Sequence, residues 1–224
     1  WHLGNAEKET DTAYTSWYYR GTGEGRTNTM FWLRTGIGVM KFVRPTDTND
    51  KDGAIDPKPE PAIRYAEVLL IYAEALNELN GTYTIPSWDG SENYTIQRDV
   101  NAMREGILPV RLRGGVPDFS QETYDDVNEF RKCLKRERQI ELMGEGHRYF
   151  DLRRWKDAAV EEALPIYGCN TLMTKSERDM FHVPVQVPSL PTTFAEKTYF
   201  WPIKHDELKR NRRLTQNPGW TYND

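Results

Sequence analysis

The feature of this chain that most constrains its fold is an apolar helical stripe that becomes acidic halfway along. Val127, Phe130 and Leu134 are spaced by three and four residues, which places them on one face of a helix. The next two positions on that face are Glu137 and Glu141. A carboxylate on a buried face is costly unless a cation pairs with it. The sequence offers five arginines close by, Arg136, Arg138, Arg148, Arg153 and Arg154.

Two interpretations of Glu137 and Glu141 are open. Paired carboxylates can serve as the general acid and base of a glycoside hydrolase when their surroundings separate their pKa values. Alternatively, the two carboxylates belong to an ion network that joins this helix to the next one. The surplus of arginine favours two ionised carboxylates, which is the wrong state for a general acid. We therefore predict a structural network.

The composition excludes several classes of function. The net charge is −4 over 224 residues and the basic side chains are interspersed with acidic ones, so we expect no nucleic-acid partner. No apolar run reaches the length of about 18 residues that a membrane-spanning helix needs. The four histidines are scattered, without zinc-ligand spacing, and no phosphate or dinucleotide loop is present. We predict no catalytic residues, no metal site and no cofactor.

Periodicity and turn residues predict a mainly α fold with long irregular loops and little strand. Residues 1–60 are predicted to be a loop-rich segment, in which alternation from Val39 to Val43 favours one short strand. Residues 61–224 are predicted to be a helical core with a C-terminal tail. The predicted core elements are a helix from about Ile63 to Asn80, a loop over 82–94, a helix over 97–105, a long helix from Thr123 to Met143, and a short helix ending beyond Trp155.

Three blocks of sequence, in the right order, resemble the RagB/SusD family. The first block is RYAEVLLIYAEA over residues 64–75, and the second is ERQIELMGEGHRYFDLRRW over residues 137–155. The third is PIK over residues 202–204 followed by QNPGW over residues 216–220. Lys204 and Trp220 depart from the family pattern only mildly. Because all three blocks are specific, the resemblance covers positions 64 to 220.

The resemblance implies a SusD-like helical scaffold with a non-catalytic role, since family members are surface nutrient-binding lipoproteins of Bacteroidetes. Glycans are the commonest ligands of the family, and some members take peptides. A SusC-like TonB-dependent transporter is the implied partner, and the outer-membrane surface is the implied location. The chain starts at Trp1 and shows no counterpart of the family's signal peptide, lipid-bearing cysteine or N-terminal helical-repeat half. We therefore expect the C-terminal portion of such a protein, with membrane attachment only through an N-terminal lipid anchor outside it.

Four aromatic residues are candidates for a ligand surface: Trp17, Tyr18, Trp32 and Trp88. Each lies in a polar, glycine-rich or turn-rich stretch rather than on an apolar helix face. Exposed aromatic rings stack on sugar rings and other flat ligands. The alternative for each ring is that it packs its loop onto the core. Two other functions stay open beside nutrient binding, namely glycoside hydrolysis by paired carboxylates and a ligand-free helical interaction scaffold.

Overall fold

The structure is a computed structural model of the 224-residue chain. It describes residues 18–22, 25–26, 32–39, 41–42, 57, 61–187 and 193–221. One predicted ligand residue, Trp17, lies outside these ranges. Within them helices are the main regular element and the strands are short, which confirms the predicted mainly helical fold.

The described part contains eight α-helices, four strands and two 3-10 helices. The α-helices are α1 (Tyr65–Asn77), α2 (Val100–Arg113), α3 (Gln121–Asp125), α4 (Val127–Glu141), α5 (His147–Arg154), α6 (Ala158–Glu161), α7 (Arg178–Phe181) and α8 (His205–Arg210). The strands are β1 (Tyr83–Pro86), β2 (Asn93–Ile96), β3 (Tyr167–Gly168) and β4 (Val185–Gln186), and the 3-10 helices are Lys175–Glu177 and Glu196–Tyr199. β1 pairs with β2 and β3 with β4, both antiparallel. The chain divides into two compact units, Pro59–Tyr149 and Trp1–Lys58 with Phe150–Asp224.

The core of the unit Pro59–Tyr149 lies among α1, α2 and α4. Apolar residues at helical spacing bury their side chains there, and they include Leu70, Ala73, Met103, Ile107, Phe130 and Leu134. Gly106 allows α1 and α2 to approach closely, because a Cβ at this position would lie 2.8 Å from the carbonyl oxygen of Leu69. Burying each large apolar side chain contributes roughly 1.5–3 kcal/mol of transfer free energy, so this cluster is the main source of the unit's stability.

Helix α2 is longer than the sequence pattern predicts. The pattern places its end at Glu105 because Gly106 normally weakens a helix, whereas the helix continues through Gly106 and Pro109 to Arg113. Gly106 serves close packing, and Pro109 lies on the exposed side. The carbonyl of Glu105, which loses its helical donor to the proline ring, is therefore on a side that water reaches.

The single long helix predicted from Thr123 to Met143 is two helices, α3 and α4. Asp126 leaves the helical region between them, with φ −91° and ψ 113°. Its carboxylate accepts hydrogen bonds from the backbone N–H groups of Asn128 and Glu129 at 2.8 and 3.0 Å, which caps α4. The capping signal in the sequence therefore marks the junction between two helices rather than the start of one.

Two predictions about strands are wrong. Most of the predicted loop over 82–94 belongs to the β1–β2 hairpin, in which Tyr83 pairs with Ile96 and Ile85 with Tyr94. The Asp-Gly dipeptide between the strands is a hairpin signal that the loop prediction did not use. Conversely, residues 37–39 and 41–42 contain no strand, because the chain turns at Phe42, whose φ is 64°.

The carboxylates of α4 form an ion network with partners on neighbouring elements. Glu137 accepts a hydrogen bond from the Arg111 guanidinium of α2 at 2.5 Å, and the two side chains are only 12% and 14% exposed. Glu141 pairs with Arg64, just before α1, at 2.8 Å, and also with Arg113 at the end of α2. An ion network is therefore present, as predicted, but it joins α4 to α2 and to the start of α1 rather than to the next helix, and its arginines are not the five that were predicted.

The arginines that lie close to these glutamates in the sequence pair with other acidic residues. Arg138 donates to Glu67 of α1 at 3.5 Å. Side chains one or two positions apart on a helix point in different directions, so Arg136 and Arg138 cannot share a face with Glu137. Beyond α4, Arg153 pairs with Glu162 and Arg154 with Asp151, each at 2.9 Å. The partners of Glu137 and Glu141 could not be predicted from nearness in the sequence, because Arg64, Arg111 and Arg113 lie far from α4 in the chain.

A smaller aromatic cluster lies among the described residues of the other unit. It contains Tyr18, Tyr19, Cys169 and Phe181, with the rings of Tyr19 and Phe181 edge-on at a centroid distance of 4.6 Å. The backbone N–H of Cys169 donates to the carbonyl of Thr35 at 2.8 Å. These contacts tie Tyr18, Tyr19 and Thr35 to the segment that contains β3 and α7.

Candidate ligand-binding site

A concave surface beside Trp32 is the first candidate site, and we name it the Trp32 cleft. Its volume is about 500 Å³. Its described lining comes from Arg26, Trp32 and Arg34, from Cys169–Leu172 after β3, and from Val185–Val187 at β4. Ligand sites in proteins commonly have volumes of about 300–1,000 Å³. The volume of the Trp32 cleft therefore falls within the range of small-molecule sites.

Short backbone contacts hold the walls of the Trp32 cleft. The backbone N–H of Asn170 donates to the carbonyl of Phe181 at 2.8 Å, and that of Val187 donates to Ile166 at 2.9 Å. Gly168 of β3 lies against the segment that carries Trp32, since a Cβ there would be 2.5 Å from the carbonyl oxygen of Thr35. The strand pair and the Trp32 segment are thus fixed to each other without a long regular element.

The chemistry of the Trp32 cleft combines an aromatic ring with polar side chains. The partly exposed ring of Trp32 has the guanidinium of Arg26 at 5.5 Å from its centroid. Arg34 and Gln186 are also among the residues that line the cleft. The side-chain oxygen of Asn170 accepts a hydrogen bond from the backbone N–H of Leu172 at 3.3 Å, which orients its amide. Amides both donate and accept hydrogen bonds, so this lining matches a ligand rich in hydroxyl groups.

The described lining of the Trp32 cleft contains no carboxylate. Its one thiol, Cys169, is buried, and burial raises the pKa of that thiol, which keeps it in the unreactive protonated form at neutral pH. Within the described ranges no group of three or more His, Cys, Asp or Glu side chains is arranged to hold a metal ion. The groups of the Trp32 cleft can therefore hold a ligand by stacking and hydrogen bonds.

The four aromatic residues predicted for the ligand surface differ in their surroundings. Trp32 lines the cleft, whereas Trp88 belongs to the other compact unit. Tyr18 is 9% exposed and packs in the aromatic cluster with Tyr19, so packing explains its ring and little of its surface is open to a ligand. Trp17 lies outside the described residues. The binding roles of these residues stay predictions.

Trp88 lies at the tip of the β1–β2 hairpin and is 98% exposed. The tip is ordered by the Asp89 carboxylate, which accepts hydrogen bonds from the hydroxyls of Ser87 and Ser91, both at 2.7 Å. These bonds, the Ser87 bond first, lower the pKa of Asp89 to about 2. Asp89 is therefore ionised at neutral pH. The turn that carries Trp88 is thus hydrogen-bonded, and the indole of Trp88 is almost fully exposed to water.

One face of the hairpin is an exposed apolar surface that we did not predict from the sequence. The pairing register places four apolar side chains on the same face, Tyr83, Ile85, Tyr94 and Ile96. Tyr83, Ile85 and Tyr94 are each more than 40% exposed. The signal for this surface was the period-two alternation in YTIP and NYTI, which the loop prediction passed over.

The polar groups of the Trp32 cleft were also missed. Arg26, Arg34, Asn170 and Gln186 come from segments more than a hundred residues apart in the chain. No local pattern marks them, because they converge only through the contacts between the Trp32 segment and the β3–β4 pair.

Among the described residues, no helix is long and apolar enough to cross a membrane.

Comparison with known proteins gives a consistent family. A model of the SusD family matches residues 1–220. SusD-like protein P2 of Formosa agariphila is 32% identical over 186 residues, which cover 81% of this chain and 30% of P2. SusD-like protein P38 of the same organism is 38% identical over 106 residues, which cover 47% of this chain and 18% of P38.

Solved structures agree on the fold. The selenomethionine form of BT4246 superposes with a TM-score of 0.65 at 24% identity, covering 85% of this chain and 30% of that one. A SusD-like protein, BF3747 from Bacteroides fragilis NCTC 9343, gives a TM-score of 0.51 at 26% identity, covering 70% of this chain and 25% of that one. The chain thus spans 30% or less of the length of each of these relatives. Because the family match extends over nearly all of its residues, the chain belongs to the SusD family.

Proposed function

We propose that this chain is part of a surface protein that binds an oligomeric nutrient, foremost a glycan, for import through a SusC-like TonB-dependent transporter of the outer membrane. SusD-family proteins are generally nutrient- and glycan-binding proteins, generally non-catalytic, and typically associated with the cell surface in Bacteroidetes. The relatives are more than three times as long as the matched region. The ligand and partner of the whole protein are therefore part of the proposal.

The observation that carries the proposal is the lining of the Trp32 cleft. An indole ring there lies beside guanidinium and amide groups on one concave surface of about 500 Å³. A sugar ring offers apolar C–H faces for stacking and hydroxyls for hydrogen bonds, so it can use both kinds of group at once. We assign the main stacking contact to Trp32.

Trp88 is the second residue that we propose for ligand contact. Leaving a whole indole in water forgoes the gain from burying a large apolar side chain. The hydrogen-bonded turn around Asp89 nevertheless holds it there. Glycans are extended polymers, so a ligand can contact aromatic side chains outside a cleft as well as inside it.

The rival proposal of a glycoside hydrolase finds little support in the α4 carboxylates. Hydrolysis needs one carboxylic acid that is protonated and one carboxylate free to attack or to activate water. Glu137 is engaged by Arg111, and Glu141 by Arg64 and Arg113. Each carboxylate is thus bound by a guanidinium group and is not free to attack a sugar or to activate water.

The experiment that tests the proposal combines binding and turnover. The protein is titrated by calorimetry with a panel of oligosaccharides, including xylohexaose, maltohexaose, laminarihexaose and host-type glycans, and with a pool of hexapeptides. We expect saturable binding of at least one glycan, and no new reducing ends after long incubation. Steady release of reducing ends that Glu137→Gln abolishes would support the hydrolase. Binding of no glycan in the panel would contradict the proposal, and binding of peptides alone would replace the glycan by a peptide.

A further inference from the structure

The apolar face of the β1–β2 hairpin is a second candidate for binding, and we name it the hairpin platform. It consists of Tyr83, Ile85, Tyr94 and Ile96, which the strand register places on one side. Tyr83 and Ile85 are each 44% exposed, Tyr94 is 49% exposed, and Ile96 is half-buried. None of the four belongs to the described hydrophobic core cluster of the unit Pro59–Tyr149. The packing of that core therefore does not explain why these positions are apolar.

The opposite face of the hairpin is mostly polar. Thr84 lies opposite Thr95 there, and Pro86 lies opposite Asn93. An antiparallel sheet with this alternation commonly packs its apolar face on a core and exposes its polar face to water. In this hairpin all four residues of β1 and three of the four residues of β2 are exposed. Exposed apolar surface of this kind is typical of a site where a ligand or another protein binds.

Hydrogen bonds hold the hairpin platform in a defined shape. Next to the tip, the backbone N–H of Ser87 donates to the carbonyl of Glu92 at 2.8 Å. The hydroxyl of Tyr94 donates to the carboxylate of Glu92 at 3.2 Å, and the hydroxyl of Tyr83 donates to the side-chain oxygen of Asn80. Both hydroxyls are thus oriented, and each phenol oxygen can still accept a hydrogen bond from a ligand.

The area of the hairpin platform distinguishes between a protein and a smaller ligand. A large aromatic side chain has about 150–250 Å² of surface to bury, so the three half-exposed side chains offer roughly 300 Å². The indole of Trp88 at the tip raises this to roughly 500 Å². A stable protein–protein interface buries about 800 Å² on each partner. The hairpin platform is therefore too small for a stable protein interface, whereas a saccharide chain needs less area.

The side chains of the hairpin platform also match a saccharide. Aromatic rings stack on the C–H faces of sugar rings, and the phenol oxygens can accept hydrogen bonds from sugar hydroxyls. The charged side chain that hydrogen-bonds to the platform is the carboxylate of Glu92, which disfavours an acidic saccharide. The face of a sheet touches its ligand from one side only, so a ligand gains most contact when several of its rings lie in one plane. Chains such as cellohexaose and xylohexaose are flat ribbons, whereas maltohexaose coils.

We propose that the hairpin platform binds a flat, neutral, β-linked saccharide chain through the rings of Tyr83 and Tyr94. The platform shares no residue with the Trp32 cleft. The inference rests on the proposed function only in that the ligand is a saccharide. Because the contact is one-sided, a short chain binds weakly, and a polymer that offers many equivalent positions is the better probe.

Affinity electrophoresis measures weak binding to a polymer directly. The protein migrates through native gels that contain xylan, glucomannan or hydroxyethylcellulose, which are β-linked chains, or soluble starch, which is a coiled chain. We expect at least one β-linked polymer to retard the unaltered protein. Retardation by none of the three would overturn the inference.

A pair of substitutions assigns the retardation to the hairpin platform. Tyr83→Thr with Tyr94→Thr removes both rings and keeps β-branched residues, which suit a strand. We expect this tyrosine variant to bind the β-linked polymer about 5-fold or more weakly, because two stacking contacts are lost, and to keep any retardation in starch. The matched control, Thr84→Val with Thr95→Val, changes the polar face of the same strands and should bind as the unaltered protein does. Equal binding by the tyrosine variant and the unaltered protein would overturn the inference, and so would equal weakening by the control.

A third pair of substitutions separates stacking from a structural role. Tyr83→Phe with Tyr94→Phe keeps the rings and removes the hydroxyls, so we expect it to bind within about 2-fold of the unaltered protein. Weakening as large as in the tyrosine variant would mean that the rings do not carry the binding. We expect the tyrosine variant and the valine control to melt at the same temperature, since neither pair belongs to the core cluster. A lower melting temperature of the tyrosine variant together with lost binding would make the rings structural and overturn the platform.

A Trp32→Ala background keeps this inference distinguishable from the proposed function. The tyrosine substitutions should weaken binding of the β-linked polymer in that background as well. If Trp32→Ala alone has no effect, the Trp32 cleft is wrong and the hairpin platform stands. If Trp32→Ala abolishes binding and the tyrosine substitutions alone change nothing, the hairpin platform is wrong and the cleft stands.

Light scattering tests the protein interface that the area argument excludes. We expect the unaltered protein and the tyrosine variant to have the same mass in solution. An oligomer of the unaltered protein that the tyrosine variant dissociates would show that the hairpin platform joins copies of this chain, and it would overturn the saccharide site.

Discussion

At the scale of single residues, Glu137 shows how an acidic side chain can take a place on an otherwise apolar helix face. Its partner Arg111 donates to the carbonyl of Pro117 at 2.7 Å as well as to Glu137, and its guanidinium lies 3.9 Å from the ring centroid of Phe119. The guanidinium is thus enclosed by a carboxylate, a carbonyl and an aromatic ring. The pair belongs to the packing of α2 against α4.

Replacing Glu137 by alanine should strand the charge of Arg111 in this enclosed position. Breaking a buried ion pair costs about 3–5 kcal/mol, and the remaining exposure of both side chains places our expectation near 3 kcal/mol. Urea unfolding of Glu137→Ala measures the loss. The matched control is Glu129→Ala, since Glu129 is exposed in the first turn of the same helix and should cost about 0.5 kcal/mol. Equal free energies of unfolding for the two variants would contradict the buried network.

At the scale of elements, the sequence pattern predicted which helices exist better than where they end. The apolar spacing predicted α1 and α4, and the positive φ of Gly144 and Gly146 agrees with the predicted bend before α5. The ends were misjudged where tertiary contacts outweigh propensity. Gly106 continues a helix because α1 packs against it, and Asp126 splits a helix because its carboxylate caps the next one.

The hairpin leads to a prediction about Trp88. The indole is 98% exposed, so Trp88→Ala removes almost no packing and should leave the melting temperature unchanged. If the ring contacts ligand, the glycan should bind with about 0.5–1.5 kcal/mol less free energy, the range for one aromatic stacking contact. Calorimetry and thermal unfolding of the same variant provide both values. A lowered melting temperature would show that the ring packs, and an unchanged affinity would remove Trp88 from the ligand surface.

At the scale of the whole molecule, three sequence blocks were enough to identify the family, but not to explain what the third block does. In the structure the QNPGW block ties the chain at residues 197–203. Gln216 exchanges hydrogen bonds with the backbone of Ile203 at 2.8 and 3.0 Å, and Trp220 donates to the carbonyls of Lys197 and Phe200. The block thus fixes the C-terminal tail against residues 197–203.

The candidate sites were only partly predictable for a related reason. Trp32 could be chosen from its polar surroundings, whereas its neighbours Asn170 and Gln186 carry no local signal. They reach the cleft through the β3–β4 pair, which is only two residues long in each strand and has no detectable sequence pattern. Tyr18 sits in an equally polar stretch, yet it packs into the aromatic cluster. Local composition cannot tell a ring that lines a cleft from a ring that fills a core.

Binding of the nutrient in the Trp32 cleft, as we propose, can be tested by the affinity of Trp32→Ala. The glycan that binds best in the panel is titrated into the unaltered protein, into Trp32→Ala and into Trp201→Ala. Trp201 is the control because its indole is 75% exposed and does not line the Trp32 cleft. We predict that Trp32→Ala binds about 3- to 10-fold more weakly while the control binds normally. Equal affinity of Trp32→Ala and the unaltered protein would contradict the account.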